Sequence, residues 1–159
     1  MILFLFTLFF LGCADKNAFD NFEMIKEQEL SANNLQNSKI KTGDNTDGII
    51  SAIYLNKVYP TLYNQNEYFY IYLYQRERVD MFNPNTLDEI NMTLKLNGKL
   101  PIKIRKLSHN NRFSHLTLVN GEWQRYFLVA FEEEKSNKLS LILQTSLSSS
   151  DFLIYHKDE

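Results

Sequence analysis

Beyond residue 48, apolar and polar residues alternate with a period of two in short runs separated by turn residues. Residues 49–55, 67–75, 90–96, 100–107, 113–119, 123–132, 138–145 and 151–156 each read as a strand. Eight such runs predict a mainly β domain over 49–159, an antiparallel β-sandwich or partly open barrel. One hairpin can be read to its register. A three-residue loop Leu96-Asn97-Gly98, with Gly98 in the left-handed bulge position, pairs Leu94 with Leu100 and Met92 with Ile102. That register also pairs Ile90 with Ile104 and turns all six apolar residues inward.

Upstream of residue 48 the alternation stops. Asp20 and Glu23 have capping-box spacing, Phe19 and Met24 form a hydrophobic staple across it, and a short helix over 20–30 is predicted. Residues 31–48 hold one Leu and one Ile and show no period, so they read as a flexible linker. Residues 13–48 are therefore expected to be a tether carrying one short helix.

The first eleven residues, MILFLFTLFFL, carry no charge and one polar side chain, Thr7. A run of this length suits a signal-peptide core of about 7–15 residues and falls short of the roughly 20 needed to span a bilayer. Gly12 and Cys13 follow directly. A small residue ahead of a cysteine at the end of a short apolar run resembles the lipobox of bacterial lipoproteins. That resemblance implies a signal peptide over 1–12 and acylation of Cys13 with diacylglyceryl and palmitate-like chains. At about 0.8 kcal/mol per buried CH₂, two or three chains hold a protein on a bilayer where one does not. With its Asn- and Lys-rich body, the chain is similar to Borrelia-type spirochaetal outer-surface antigen lipoproteins. This likeness implies an outer-membrane or cell-surface location.

Composition sharpens this reading at two points. Twelve Phe, nine Tyr and one Trp in 159 residues favour half-buried pleated surfaces. The lone cysteine excludes a disulfide within the chain, which leaves Cys13 free for its expected role. A net charge of -2 gives no bulk attraction to nucleic acid, and none is expected as a partner.

Catalytic signatures are weak. Gly43 and Gly48 have Walker spacing, but Ile49 and Ile50 stand where Lys and Ser/Thr are required. The oxygen-rich run 43–48 lacks the first Asp and the bidentate Glu of a calcium loop, so it reads as a turn. His109, His115 and His156 keep no ligand spacing with a Cys or carboxylate, and no metal or cofactor is expected. Ser148–Ser150 is a serine run with no nucleophile-elbow pattern, and Glu132, Glu133 and Glu134 read as a solvated turn.

Two surface features remain. In EYFYIYLYQ, alternation sets Phe69, Ile71 and Leu73 on one face and Tyr68, Tyr70, Tyr72 and Tyr74 on the other. Tyrosine offers rigid contact area with a polar tip, which makes this stripe a candidate binding face. Lys95, Lys103 and Arg105 form the core of a locally basic zone suited to an acidic protein, a glycan or anionic lipid. The expected function is a non-catalytic, membrane-anchored surface or periplasmic lipoprotein that binds a protein or glycan. A lipid-anchored envelope enzyme or enzyme inhibitor is the alternative, and a concave pocket of converging polar groups would distinguish it.

Overall fold

The period-two runs become strands that join edge to edge in a single antiparallel sheet. A computed structural model describes residues 25–76, 92–117, 121 and 123–158. In chain order its elements are α1 (Lys26–Asn33), β1 (Leu35–Thr42), β2 (Asn45–Tyr54), α2 (Leu55–Val58), β3 (Glu67–Gln75), β4 (Met92–Leu96) and β5 (Lys103–Leu107). A 3-10 turn at Ser114–Leu116 precedes β6 (Arg125–Phe131), β7 (Lys138–Thr145), β8 (Ser149–Ser150) and β9 (Leu153–His156). The strand order is β4-β7-β8-β1-β2-β3-β6-β5, with β9 also paired to β7. The sheet curls into a half-barrel, the partly open form of the expected antiparallel β class.

Alternation assigns the two faces. Phe69, Ile71 and Leu73 of β3 point into the curl, with Phe127, Val129 and Phe131 of β6 and Leu139, Leu141 and Leu143 of β7. Each is 5% exposed or less. Burying a side chain of this kind stabilises by about 1.5–3 kcal/mol, so the packed interior dominates the fold. Tyr155 of β9 crosses this interior and donates its hydroxyl to the Ala52 carbonyl of β2 at 2.8 Å.

A second apolar layer lies outside the barrel. Ile53, Tyr70 and Tyr126 project outward from β2, β3 and β6 and are covered by Leu55 and Val58 of α2, Tyr63, Phe113 and Leu116. Helix α1 is fastened to this cover by Ser31, whose hydroxyl donates to the Leu116 carbonyl at 2.9 Å. Gln28 donates to the His115 carbonyl at 3.1 Å.

Several expectations change. Residues 31–48 are not a linker: they complete α1 and form the β1–β2 hairpin around Gly43 and Asp44. The physical reason is that β1 is held mainly by its backbone pairing to β2. Only Ser38 and Ile40 along it are buried, so its apolar content is low. The helix runs to Asn33, three residues past its expected end. Of the expected strand 113–119, the described residues 113–117 hold a 3-10 turn rather than a strand, with Phe113 and Leu116 both buried in the outer layer.

The bulged hairpin is replaced by a two-residue turn. Asn97 and Gly98 have φ of 47° and 83°, and Leu96 and Lys99 exchange both backbone hydrogen bonds at 2.9 Å. Both central residues lie in the left-handed region, as a type I′ turn requires. Beyond the turn the strands part. β4 pairs with β7, setting Leu94 opposite Leu143, while β5 pairs with β6. Leu100 and Ile102 therefore do not need to face inward, and they are 46% and 44% exposed. Cys13, the 1–12 leader, the Asp20–Glu23 capping box, Ile90 and Val119 lie outside the described residues.

Candidate functional site

The β5–β6–β3 registers set Lys103 opposite Ala130 and Ala130 opposite Tyr68, one row across three strands. The next row sets Arg105 beside Leu128 and Leu128 beside Tyr70. Strands lie about 4.8 Å apart, so Tyr68 and Lys103 stand roughly 10 Å from each other with a methyl group between them. The small Ala130 side chain opens a dip of about 220 Å³ on the outer surface. Its floor is Ala130, Leu128 and Ile102, its rim on one side is Tyr68 and Asn66, and on the other it is Lys103 and Arg105.

Local structure holds the tyrosine rim in place. Asn56 of α2 accepts from the Tyr68 backbone N–H at 2.8 Å and donates to the Asn66 carbonyl at 2.6 Å. The Tyr68 ring packs 4.8 Å from Tyr63. Arg112 donates to the Tyr63 hydroxyl and lies 4.7 Å over the Phe113 ring, a cation–π contact. A third cation therefore sits behind the aromatic rim.

The tyrosine stripe is not one displayed face. Tyr70 is fully buried, Tyr68 and Tyr72 are half-buried, and Tyr74 is 48% exposed. Burial pushes the Tyr70 hydroxyl up to about 12, and Asn111, which donates to it, partly offsets this. Burial likewise raises Tyr72. The α1–α2 cover and the 108–117 loop take over most of the stripe as core, leaving Tyr68 at its border.

The basic zone is divided in the same way. Lys103 and Arg105 share the dip with Tyr68, whereas Lys95 projects outward from β4, at the other end of the strand order. There it lines a shallower groove of about 590 Å³ with Lys138, Ile142, Phe152 and Ile154. Residues close in sequence part because β4 and β5 follow different neighbours.

A polar cluster that no sequence pattern announces closes one end of the barrel. Glu67 is 1% exposed, yet it accepts from the Tyr54 hydroxyl at 2.6 Å and the Glu134 backbone N–H at 2.9 Å, and it pairs with Lys157. Lys157 also donates to the Glu134 carbonyl. The Glu134 carboxylate takes Lys99 at 2.7 Å and Asn97 at 3.5 Å. Glu134 is thus buried and bonded rather than part of a solvated turn, while Glu132 and Glu133 are exposed. The Lys99 hydrogen bond holds the Glu134 carboxyl below its ordinary value. Burial and Glu67 together push the Tyr54 hydroxyl far up, so it remains a donor.

The three histidines are apart in role. His115 meets the Tyr59 hydroxyl at 2.9 Å, His109 lies 6.0 Å from the Tyr126 ring, and His156 is exposed on β9. Among the described residues no three His, Cys, Asp or Glu side chains gather as a metal-ligand set. No helix among them is long and apolar enough to cross a membrane. No family model, no curated protein and no solved structure matches the chain.

Proposed function

We propose that the protein is a membrane-anchored, non-catalytic binding module, a surface or periplasmic lipoprotein held by an acylated Cys13. Its working face is the dip between Tyr68 and the Lys103–Arg105 pair. The observation that carries this reading is that one outer groove joins Tyr68 to cations 35 or more positions away in sequence. The packed interior supports the same view: the space where many barrels hold a ligand is filled by the strands' own side chains. The alternative, an envelope enzyme, would draw, among the described residues, on the Glu67–Tyr54–Lys157 cluster. That cluster is a weaker basis, because Glu67 commits its carboxylate to protein donors and is 1% exposed.

Anchoring is tested by expressing the full chain in a lipoprotein-processing bacterium supplied with an alkyne-bearing palmitate. Wild type takes up label and sediments with membranes, and Cys13→Ala loses both. Protease added to intact cells degrades the wild-type protein if it faces outward. Equal labelling of wild type and Cys13→Ala refutes the anchor.

A further inference from the structure

We infer that the dip takes an extended segment of a partner protein in which acidic residues alternate with apolar ones. This deepens the binding reading above and rests on it.

Three observations point to that chemistry. First, both formally charged residues lining the dip, Lys103 and Arg105, are cations, and both are exposed. They are two positions apart on one face of β5, so they repeat at about 7 Å. Side chains two apart on any extended chain repeat at the same distance. Two carboxylates at alternate positions of a segment lying along β5 therefore meet both cations in register, with the Arg105 guanidinium open to a two-toothed bond.

Second, the other half of the dip is apolar. Ala130 and Leu128 lie on β6 between the cations and β3, and Ile102 joins them in the lining. An extended segment sends its intervening side chains to its opposite side, which is this apolar strip. Third, about 220 Å³ is below the 300–1,000 Å³ typical of pockets that enclose a small molecule. It fits individual side chains of a longer ligand. A polyanion read by charge alone, such as a sulfated glycan, would use the cations and leave the alanine dip without purpose.

The test is a fluorescence-anisotropy titration of the full-length chain in neutral detergent. The probes are a labelled peptide alternating Asp and Leu, a peptide of the same composition with its Asp residues in one block, and a heparin fragment. The alternating peptide is expected to bind best. Reversing both cations (Lys103→Glu with Arg105→Glu) weakens it at least tenfold, and filling the dip (Ala130→Leu) weakens it at least fivefold. Lys39→Glu, a lysine exposed on β1, changes it less than twofold. Melting curves confirm that each variant is folded. Because the two charge changes lie on an exposed strand surface, they test the idea even if Ala130→Leu destabilises the fold.

The inference is overturned if the double reversal binds the alternating peptide as well as wild type does. It is equally overturned if the block peptide or heparin binds as tightly and Ala130→Leu has no effect, since the surface would then read charge alone. The anchoring experiment is independent. Unlabelled Cys13 would leave this titration unchanged, and a failed titration would leave acylation intact.

Discussion

Replacing Lys157 by Met should destabilise the domain far more than its place beyond the last strand suggests. The change removes the counter-ion of Glu67, whose side chain is 2% exposed, while Lys157 is itself only 23% exposed. Breaking a buried ion pair from one side costs about 3–5 kcal/mol, because a charge is left in a poor medium. Two features reduce that figure. The Tyr54 hydroxyl and the Glu134 N–H both still bond to the carboxylate. An expected loss of about 2–3 kcal/mol remains. Glu67→Gln keeps an acceptor for Tyr54 and Glu134 and removes the charge, so it should cost about 1–2 kcal/mol. In the double variant neither charge remains, and its loss should fall at least about 1 kcal/mol below the sum of the two single losses. Urea unfolding at neutral pH, with midpoint and slope fitted for all four proteins, measures each term. A Lys157→Met loss under about 0.5 kcal/mol, or strictly additive singles, would refute the idea of a stabilising clasp.

Two further outcomes follow from the same structure. Tyr70→Ser should cost about 3–5 kcal/mol, because a fully buried ring leaves a cavity between β3 and its cover; Tyr74→Ser should stay within about 0.5 kcal/mol, and equal effects in denaturant would contradict the two-layer description. Acid should weaken the fold partly through Glu134. Its carboxyl is lowered in the folded state, chiefly by the Lys99 hydrogen bond, so the folded protein binds this proton less readily than the unfolded chain does. The resulting stability is present above the ordinary carboxylate range and is lost as pH falls through the lowered folded value. Lys99→Met should flatten that acid limb in a series of unfolding curves between about pH 3 and 6, and an unchanged limb would rule out the contribution.

Elements whose alternation is strong are legible in the sequence itself. EYFYIYLYQ and the run 138–145 are strands with the predicted bounds, because both combine β-favouring residues with a clear period. β1 is hidden for a physical reason. A strand held by backbone bonds, with one serine and one isoleucine inward, carries almost no hydrophobic signature. The Asn97-Gly98 turn departs from the expected register because Leu94 pairs with Leu143 of β7 and not with Leu100 across the turn. Non-local pairing to β6 and β7 decides the register instead, and short-range pattern holds no information about it. The same limit explains the candidate site. Tyr68, Lys103 and Arg105 each stand out in the sequence, but Ala130, which turns them into one groove, acquires meaning only through the β3–β6–β5 registers. One sign is present in principle: a single alanine among the large apolar side chains of YFLVAF.

The clasp and the groove are two sides of one piece of sheet. Glu67 points inward and its neighbour Tyr68 outward, and across the ladder Phe131 and Ala130 divide in the same way. The Glu67–Phe131 pair is the last rung between β3 and β6, and the Tyr68–Ala130 pair beside it forms the groove. A rung at the end of a ladder is where strands fray, since it has neighbours on one side only. Here the Glu67 bonds to Tyr54, Glu134 and Lys157 draw β2, the β6–β7 link and the residues after β9 onto that rung. A buried charge is a costly way to hold a strand end when an apolar residue would pack there. Its specific gain is direction: two hydrogen bonds and an ion pair hold the Glu67 carboxylate in a set orientation at the end of β3, one residue from Tyr68. The burial of Glu67 thus falls one rung from the Tyr68–Ala130 pair on which the proposed binding face is built.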